Sequence, residues 1–220
     1  NFGERGDPQE FNTPEGPELI EQGEIFDRPY EERQRFPADR EACEGMGPIN
    51  IHKNENLLNI LEDIIGPDID CFLSQFIFKN PGAWGQPWHQ DSSYFPFDRE
   101  PQVAAWLATS EATLENGCLV VLPGSHKESL HEHLPDDREG SNYGYTEIKD
   151  HDFSEEVPMT LKKGDLLLFH SFLMHKSYDN KSKSKRSAMV YHFAETGTGF
   201  GEIDSPTNEW ISLRGRGLND

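Results

Sequence analysis

Residues 159–193 read MTLKKGDLLLFHSFLMHKSYDNKSKSKRSAMVYHF, and this stretch decides the fold. It begins and ends with runs of β-strand character, and turn signals at Lys163-Gly164 and Asp179-Asn180 interrupt it. Earlier runs of the same kind are DCFLSQFIFK (70–79), QVAAWLAT (102–109) and GCLVVLP (117–123), separated by Asn80-Pro81-Gly82, Asn116-Gly117 and Pro123-Gly124. Many short strands punctuated by turns predict an all-β core with flanking helices, arranged as a double-stranded β-helix, the barrel of jelly-roll or cupin type.

The remaining segments predict one helix and a simple domain order. NENLLNILEDII (54–65) places its apolar residues at helical spacing, and Gly66-Pro67 closes it. Residues 1–45, rich in Glu, Arg, Pro and Gly, predict a partly extended N-terminal arm. Residues 46–200 then form the β-helix domain, with the polar stretch 126–157 as a lid or binding loop, and 201–220 form a C-terminal tail.

Composition excludes several classes of partner. The chain carries 20 Lys and Arg against 40 Asp and Glu, a formal charge of −20, which disfavours nucleic acid and anionic membranes. The sequence has neither an apolar run long enough for a membrane span nor the apolar core of a signal peptide near residue 1. Its three cysteines form no disulfide or CxxC pattern. We therefore expect a cytoplasmic protein in a reducing compartment.

His89-Gln90-Asp91 is the first candidate metal motif. In a strand, residues two apart project from the same face, so this imidazole and this carboxylate would converge on one point. An HxD pair is common by chance, and a single histidine is as often structural as functional. The motif gains weight only with a third ligand.

His175 supplies that ligand, at a point where an apolar strand ends and the chain turns polar. Two histidines and one carboxylate form the facial triad that leaves positions open on Fe(II). Zinc is the rival metal, because the same donors describe hydrolytic zinc centres, although the helical HExxH arrangement is absent.

A chelating 2-keto acid would fill two of the open positions, and its far carboxylate would need a cationic partner. Arg186 is the candidate, eleven residues after His175, where a turn would bring it back on the neighbouring strand. Ser177 shares a strand face with His175 and could donate a hydroxyl hydrogen bond to the same carboxylate. The alternatives are a surface salt bridge for Arg186 and a turn hydroxyl for Ser177.

Three blocks of sequence carry a resemblance to a known family: FIFKNPGAWGQPWHQDSSYFPF (76–97), ENGCLVVLPGSHKESL (115–130) and KKGDLLLFHSFLMHKSYDNKSKSKRSAMVYHF (162–193). Between about Gly47 and Thr198 the chain resembles the phytanoyl-CoA dioxygenase family of Fe(II)/2-oxoglutarate oxygenases. The resemblance implies that His89, Asp91 and His175 bind iron and that Arg186 and Ser177 hold 2-oxoglutarate.

The resemblance also implies cosubstrate contacts for Gln75 and Trp106. For Trp106 the alternative is a plain core residue, and for Gln75 it is a partner for a buried backbone group. The carboxylate of Asp91 favours hydroxylation over halogenation, because related halogenases carry a small residue at this position.

We therefore expect a hydroxylase that uses Fe(II), 2-oxoglutarate and O₂ on an unactivated C–H bond of a small metabolite and releases succinate and CO₂. The alternatives are an acyl-CoA 2-hydroxylase, a non-oxygenase metal-dependent cupin and a catalytically silent binding protein. Fold and triad do not select a substrate. The candidate lining residues are Tyr94, Phe95, Phe97, His126, Tyr143 and Tyr145.

Overall fold

The computed structural model describes residues 54–138, 145–199 and 210–215, together with the backbone of two short strands near the N-terminus. The chain divides into two compact units, Asn1–Asn50 with Asp137–Tyr143, and Ile51–Asp136 with Gly144–Asp220. In the first unit β1 (Gln9–Thr13) and β2 (Gly16–Ile20) pair as an antiparallel hairpin. The rest of the predicted arm at 1–45 lies outside the described residues.

Two antiparallel sheets form the second unit. The major sheet has the order β12-β3-β11-β4-β9, and the minor sheet has the order β10-β5-β8. A further pair joins β6 (Leu134–Pro135) to β7 (Thr146–Glu147). The strands of the major sheet are β3 (Ile69–Lys79), β4 (Val103–Ala108), β9 (Leu166–His170), β11 (Arg186–Glu195) and β12 (Ile211–Arg214), and those of the minor sheet are β5 (Leu119–Val121), β8 (Val157–Met159) and β10 (His175–Ser177).

The core lies where the inner faces of the two sheets meet. Ala104, Trp106 and Val190 of the major sheet pack in one buried cluster with Leu119 of the minor sheet. The predicted strands and the jelly-roll class are confirmed, with one difference: the described strands form two open sheets and not a closed barrel. A second cluster, Trp88, Val120, Leu122, Ile148 and Met174, includes a residue of the long polar stretch at 126–157.

The predicted helix is confirmed as α1 (Glu55–Ile65). The side chain of Asn54 caps it by accepting hydrogen bonds from the backbone N–H groups of Asn56 and Leu57. Its buried face consists of Leu57, Leu58 and Leu61. Within the described part of the chain, no helix combines the length and the apolar character that a membrane crossing requires.

The segment expected as a C-terminal tail contains β12, which pairs with the start of β3. Arg214 of β12 donates hydrogen bonds to Glu62 at 2.5 Å and to Glu55 at 2.6 Å on the surface of α1. These ion pairs are partly exposed, so each contributes little free energy on its own, but together they tie β12 to the helix.

Among the glycines that the structure describes, Gly85 has the least room for a side chain. A Cβ atom at this position would lie 1.8 Å from the carbonyl oxygen of Ser177. We expect Gly85→Ala to lower the free energy of unfolding by about 3 kcal/mol, because the two backbones would have to separate. Gly199→Ala is the matched control, since its Cβ would meet nothing within 4 Å. Equal denaturation midpoints for the two variants would contradict this prediction.

Candidate metal centre

His89 and Asp91 lie on either side of one extended residue. Gln90 has φ −116° and ψ 134°, so the side chains on its two sides project in the same direction. The sequence suggested that the motif is part of a continuous strand. This expectation is wrong, because Asp91 begins a 3₁₀ turn at Asp91–Ser93. The single extended residue is sufficient to bring the imidazole and the carboxylate together.

His175 reaches the same place through the backbone. His89 and His175 form an isolated antiparallel bridge, with N–H to O distances of 2.9 and 3.0 Å. The Nε2 atoms of His89 and His175 lie 3.6 and 3.5 Å from Oδ1 of Asp91. One donor atom from each of the three residues falls within 4.8 Å of the others, and all three side chains are buried.

Hydrogen bonds fix the histidines in the form that a metal needs. Nδ1 of His89 donates to the carbonyl of Pro87 at 2.8 Å, and Nδ1 of His175 donates to that of Leu173 at 2.9 Å. Both Nε2 lone pairs are therefore directed to the centre. Oδ2 of Asp91 is buried without a hydrogen-bond partner, which a cation would supply. These observations fit a divalent metal.

The electrostatics of the centre agree with this geometry. Burial acts to raise the pKa of Asp91, but His175 and His89 outweigh it and hold that pKa well below its usual range. Burial, together with the neighbouring His89, lowers the pKa of His175 to about 4. At neutral pH the centre therefore presents a carboxylate beside a neutral imidazole, the protonation states in which both groups bind metals.

Arg186 is buried, with 2% of its surface exposed, so the surface salt bridge considered from sequence is wrong. Its Nε and Nη2 donate to the carbonyl of Gly117 at 3.2 and 2.9 Å, while Nη1 has no hydrogen-bond partner. The expectation of a strand next to β10 is also wrong, because Arg186 begins β11 in the other sheet. Burial lowers the pKa of this guanidinium to about 10, so it stays charged at neutral pH.

Ser177 and Lys79 lie near the same glycine. Oγ of Ser177 accepts hydrogen bonds from Nζ of Lys79 at 2.9 Å and from the backbone N–H of Gln86 at 3.1 Å, which leaves its own proton available for donation. A Cβ atom on Gly117 would lie 2.7 Å from Cδ of Lys79. The strand register also places Lys79 directly opposite Arg186. The side chains of Arg186 and Lys79 therefore both lie against Gly117, and the hydroxyl of Ser177 joins them through Lys79.

Trp106 and Gln75 belong to one row of the major sheet, because both pair with Val190. Residues paired across antiparallel strands project from the same face, so both side chains point to the inner side. Trp106 is a core residue, and its ring centroid lies 5.3 Å from the guanidinium carbon of Arg186. Gln75 is exposed, which excludes the alternative that it satisfies a buried backbone group. The cosubstrate roles of both residues stay predictions.

His192 belongs to this neighbourhood, although the sequence interpretation missed it. Its Nδ1 lies 3.9 Å from Oδ2 of Asp91, and its side chain is buried. The alternation of β11 places Arg186 and His192 on one face, a signal that was present in RSAMVYHF. Burial lowers the pKa of His192 and outweighs the opposing influence of Asp91.

Gln90, between the two ligand candidates, forms a hydrogen-bonding hub. Its Nε2 donates to the carbonyls of Ser129 and Phe172, and its Oε1 accepts from the N–H of His131. Its own backbone N–H donates to Nε2 of His133 at 3.0 Å. The glutamine thus connects the HxD segment both to the loop after residue 128 and to the segment before His175.

We expect Gln90→Leu to lower metal affinity by about 10–100-fold, the range measured when partners outside the ligand sphere are removed. The leucine would also remove the side-chain partners of three partly buried backbone groups, each of which contributes about 0.5–1.5 kcal/mol as a hydrogen bond. Metal titration and thermal unfolding together measure both effects. An unchanged metal affinity in the folded variant would show that Gln90 does not hold the ligands in position.

Aromatic side chains form a wall beside His192. A β-bulge in β3, between the pairs His192–Leu73 and Phe193–Cys71, leaves Phe72 unpaired and turned toward His192, with ring centroids 5.7 Å apart. The ring centroids of Phe95 and His192 are 5.2 Å apart. The aromatic wall consists of Phe72, Phe95, Phe97 and Trp210, in edge or tilted contacts.

The other predicted lining residues are distributed more widely. Tyr94 packs its ring against His89, and its hydroxyl accepts a hydrogen bond from the N–H of Thr146. His126 contacts His170, with ring centroids 6.2 Å apart. Tyr145 is half-buried, and Tyr143 lies outside the described residues.

The fold and the centre together define a jelly-roll protein with a candidate metal site of two histidines and one carboxylate, beside a buried arginine. Within that class the chain belongs to a specific family. The sequence model for phytanoyl-CoA dioxygenase (PhyH) matches residues 7–188, most of the chain. The chain is therefore a member of the phytanoyl-CoA dioxygenase family.

Relatives carry the same name. "Phytanoyl-CoA dioxygenase, peroxisomal" of Bos taurus is 36% identical over 162 residues, which cover 70% of this chain and 48% of that protein. "Phytanoyl-CoA dioxygenase 1" of Oryza sativa subsp. japonica is 37% identical over 125 residues, which cover 56% of this chain and 44% of that protein. The chain thus spans about half the length of the curated relatives it matches.

Solved structures share the fold. The non-heme monooxygenase ThoJ aligns with a TM-score of 0.62 at 20% identity, over 76% of this chain and 60% of that chain. EvdO2 from Micromonospora carbonacea var. aurantiaca, complexed with 2-oxoglutarate, gives a TM-score of 0.54 at 23% identity, over 69% of this chain and 68% of that chain. The epimerase SnoN, in complex with Fe3+, alpha ketoglutarate and nogalamycin RO, aligns with a TM-score of 0.57 at 19% identity. The alignment covers 76% of this chain and 70% of that chain.

Proposed function

We propose that this chain is an Fe(II)- and 2-oxoglutarate-dependent dioxygenase that hydroxylates an unactivated C–H bond of a small organic molecule. One observation carries the proposal beyond a generic metal site. Arg186 is buried, charged and directed to the inner side of the sheets, and its Nη1 has no hydrogen-bond partner. A hydrolytic zinc centre has no need of such a group, whereas the far carboxylate of a 2-keto acid does.

Each residue has a defined part in this scheme. His89, Asp91 and His175 would hold the iron on one face, and Arg186 with Ser177 would hold the far carboxylate of 2-oxoglutarate. With both groups bound, iron and 2-oxoglutarate supply the oxidation of a C–H bond by O₂, with release of succinate and CO₂. The side chains orient the reactants, and the buried environment excludes water from them.

The aromatic wall supports a substrate with an apolar part. Two of its four rings, Phe72 and Phe95, contact His192 on the Asp91 side of the centre, where an apolar group would replace solvent. The charge of −20 disfavours a polyphosphate-bearing ligand as a whole, which places a free small metabolite first. We further propose residues 46–200 as the catalytic domain and residues 126–157 as its lid or binding loop.

An acyl-CoA thioester is the second candidate substrate, and the names of the relatives favour it. Proteins named phytanoyl-CoA dioxygenase match the chain at 33–38% identity in several species. Some of these names also state a peroxisomal location, so the expected cytoplasmic location stays a prediction.

Anaerobic titration with Fe(II) and 2-oxoglutarate tests the proposal. We expect the weak visible charge-transfer band of the iron chelate, followed by O₂-dependent formation of succinate when a substrate is present. Pools of free metabolites and of acyl-CoA thioesters, assayed separately, distinguish the two substrate candidates. A non-oxygenase cupin would bind the metal without the band and without consuming 2-oxoglutarate, and this result would refute the proposed activity.

A further inference from the structure

A second group of metal-binding side chains lies in the long polar stretch, outside the candidate metal centre. It consists of Glu128, His131 and His151, which we call the loop triad. Nε2 of His131 lies 2.9 Å from Oε2 of Glu128, and Nε2 of His151 lies 3.0 Å from the same oxygen. The proposed dioxygenase activity assigns no role to these residues.

The hydrogen bonds of His151 show why a cation fits here. Its Nδ1 contacts the carbonyl of Asp152 at 2.9 Å, and a carbonyl only accepts, so Nδ1 must carry a proton. An uncharged imidazole then has a lone pair at Nε2, which faces the oxygen of Glu128. Two lone pairs face each other unless a proton or a metal ion lies between them. A metal ion between the two atoms accepts both lone pairs.

The distances within the loop triad suit a tetrahedral ion. Zinc binds imidazole and carboxylate at about 2.0–2.1 Å, and two ligands of a tetrahedral ion then lie about 3.3 Å apart. The two separations that involve Oε2 of Glu128, 2.9 and 3.0 Å, therefore need to widen by only a few tenths of an ångström, and the ligand atoms of all three residues lie within 4.8 Å of one another. The three side chains are between 19% and 41% exposed, so solvent can supply a fourth ligand.

Contacts with two neighbouring segments hold the loop triad in position. The backbone N–H of His131 donates to the buried side chain of Gln90. On the other side the His151 ring contacts Phe153, which stacks on Trp88 with centroids 4.5 Å apart and an interplanar angle of 3°. The two halves of the loop triad are therefore fixed by the residues on either side of His89, which reduces the entropy cost of binding an ion.

We propose that Glu128, His131 and His151 form a second metal site, which binds Zn²⁺ and joins the two ends of the 126–157 stretch. Two imidazoles and one carboxylate are the ligand types that zinc takes in open, water-bearing sites. Bound zinc connects the segment after Ser125 to the segment around His151. Because Gln90 is attached to the same loop, the ion also stabilises the surroundings of the HxD motif.

The test isolates the loop triad by removing the competing centre. In a chain that carries His89→Ala and His175→Ala, Zn²⁺ titration against a chromophoric chelator should give one ion per chain. Adding His151→Ala or Glu128→Gln should weaken zinc binding by at least about tenfold. Loss of a residue that only hydrogen-bonds to a metal ligand already costs about 10–100-fold in metal affinity, so loss of a ligand should cost at least the lower value. Glu132→Gln is the matched control, because Glu132 is exposed and lies outside the triad.

Two further measurements guard against variants that do not fold. In the otherwise wild-type chain, His151→Ala should lower the zinc capacity from two ions to one, and far-UV circular dichroism checks its fold. Hydrogen exchange of residues 126–133 and 148–153 should slow on zinc addition in the double variant. The proposal is overturned if the double variant binds no zinc, or if its binding is unchanged by both His151→Ala and Glu128→Gln. A failed iron chelate band leaves this test unaffected.

Discussion

Replacing His175 with alanine should abolish the iron and 2-oxoglutarate charge-transfer band and reduce succinate formation by more than about 100-fold. Changes to partners outside the ligand sphere already cost about 10–100-fold, so loss of a ligand must cost more. Nε2 of His175 is one of the two nitrogens near Oδ1 of Asp91, at 3.5 Å. With it removed, only one imidazole and one carboxylate of the three ligand candidates remain, and they form a weaker metal site. Anaerobic absorption spectra and coupled succinate assays measure the two effects.

His170→Asn is the control for this prediction. His170 ends β9 and accepts a hydrogen bond from the backbone N–H of Phe172, which an asparagine oxygen can also accept. Its ring contacts His126 and Phe172 and none of the three ligand candidates. A band of wild-type intensity in His175→Ala would show that iron is held elsewhere, and the assignment of the triad would then be wrong.

The sequence was sufficient to predict the strands and the convergence of His89 with Asp91, because both follow from the alternation of side chains along extended backbone, whereas His175 was chosen as the third ligand from its chemistry and from the family resemblance. Apolar alternation and turn residues determined β3, β4 and β11 to within two residues, whereas the run that begins at Met159 divides into the end of β8 and the whole of β9. The alternation of side chains in β10 likewise predicted that His175 and Ser177 share a face. These features depend on neighbours in the chain, and the linear pattern contains them.

Features that depend on the packing of distant segments could not be predicted in this way. The position of Arg186 in the opposite sheet follows from how the two sheets meet, which a linear pattern does not record. The bulge that turns Phe72 inward depends on a register shift between His192 and Phe193. The loop triad brings Glu128 to His151 across a stretch with no periodicity. Only spatial contacts reveal these relations.

Replacing Arg186 with glutamine should weaken 2-oxoglutarate binding by about 30-fold to several thousand-fold. The range corresponds to the loss of about 2–5 kcal/mol when one partner of a buried charge pair is removed. Arg186→Lys should fall between the wild type and the glutamine variant, because lysine keeps the charge but loses the planar fork of donors. Titration of 2-oxoglutarate into the iron-loaded protein gives the dissociation constants.

The dependence of the charge-transfer band on 2-oxoglutarate concentration distinguishes this prediction from the one for His175. The three candidate iron ligands are intact in Arg186→Gln, so saturating 2-oxoglutarate should restore the charge-transfer band, whereas no concentration restores it in His175→Ala. Lys185→Gln is the matched control, because it removes one exposed positive charge from the adjacent position. Arg186 also donates to the carbonyl of Gly117, so thermal unfolding must accompany the titration. A folded glutamine variant with wild-type affinity would mean that the far carboxylate binds elsewhere and that Arg186 serves only to join the two sheets.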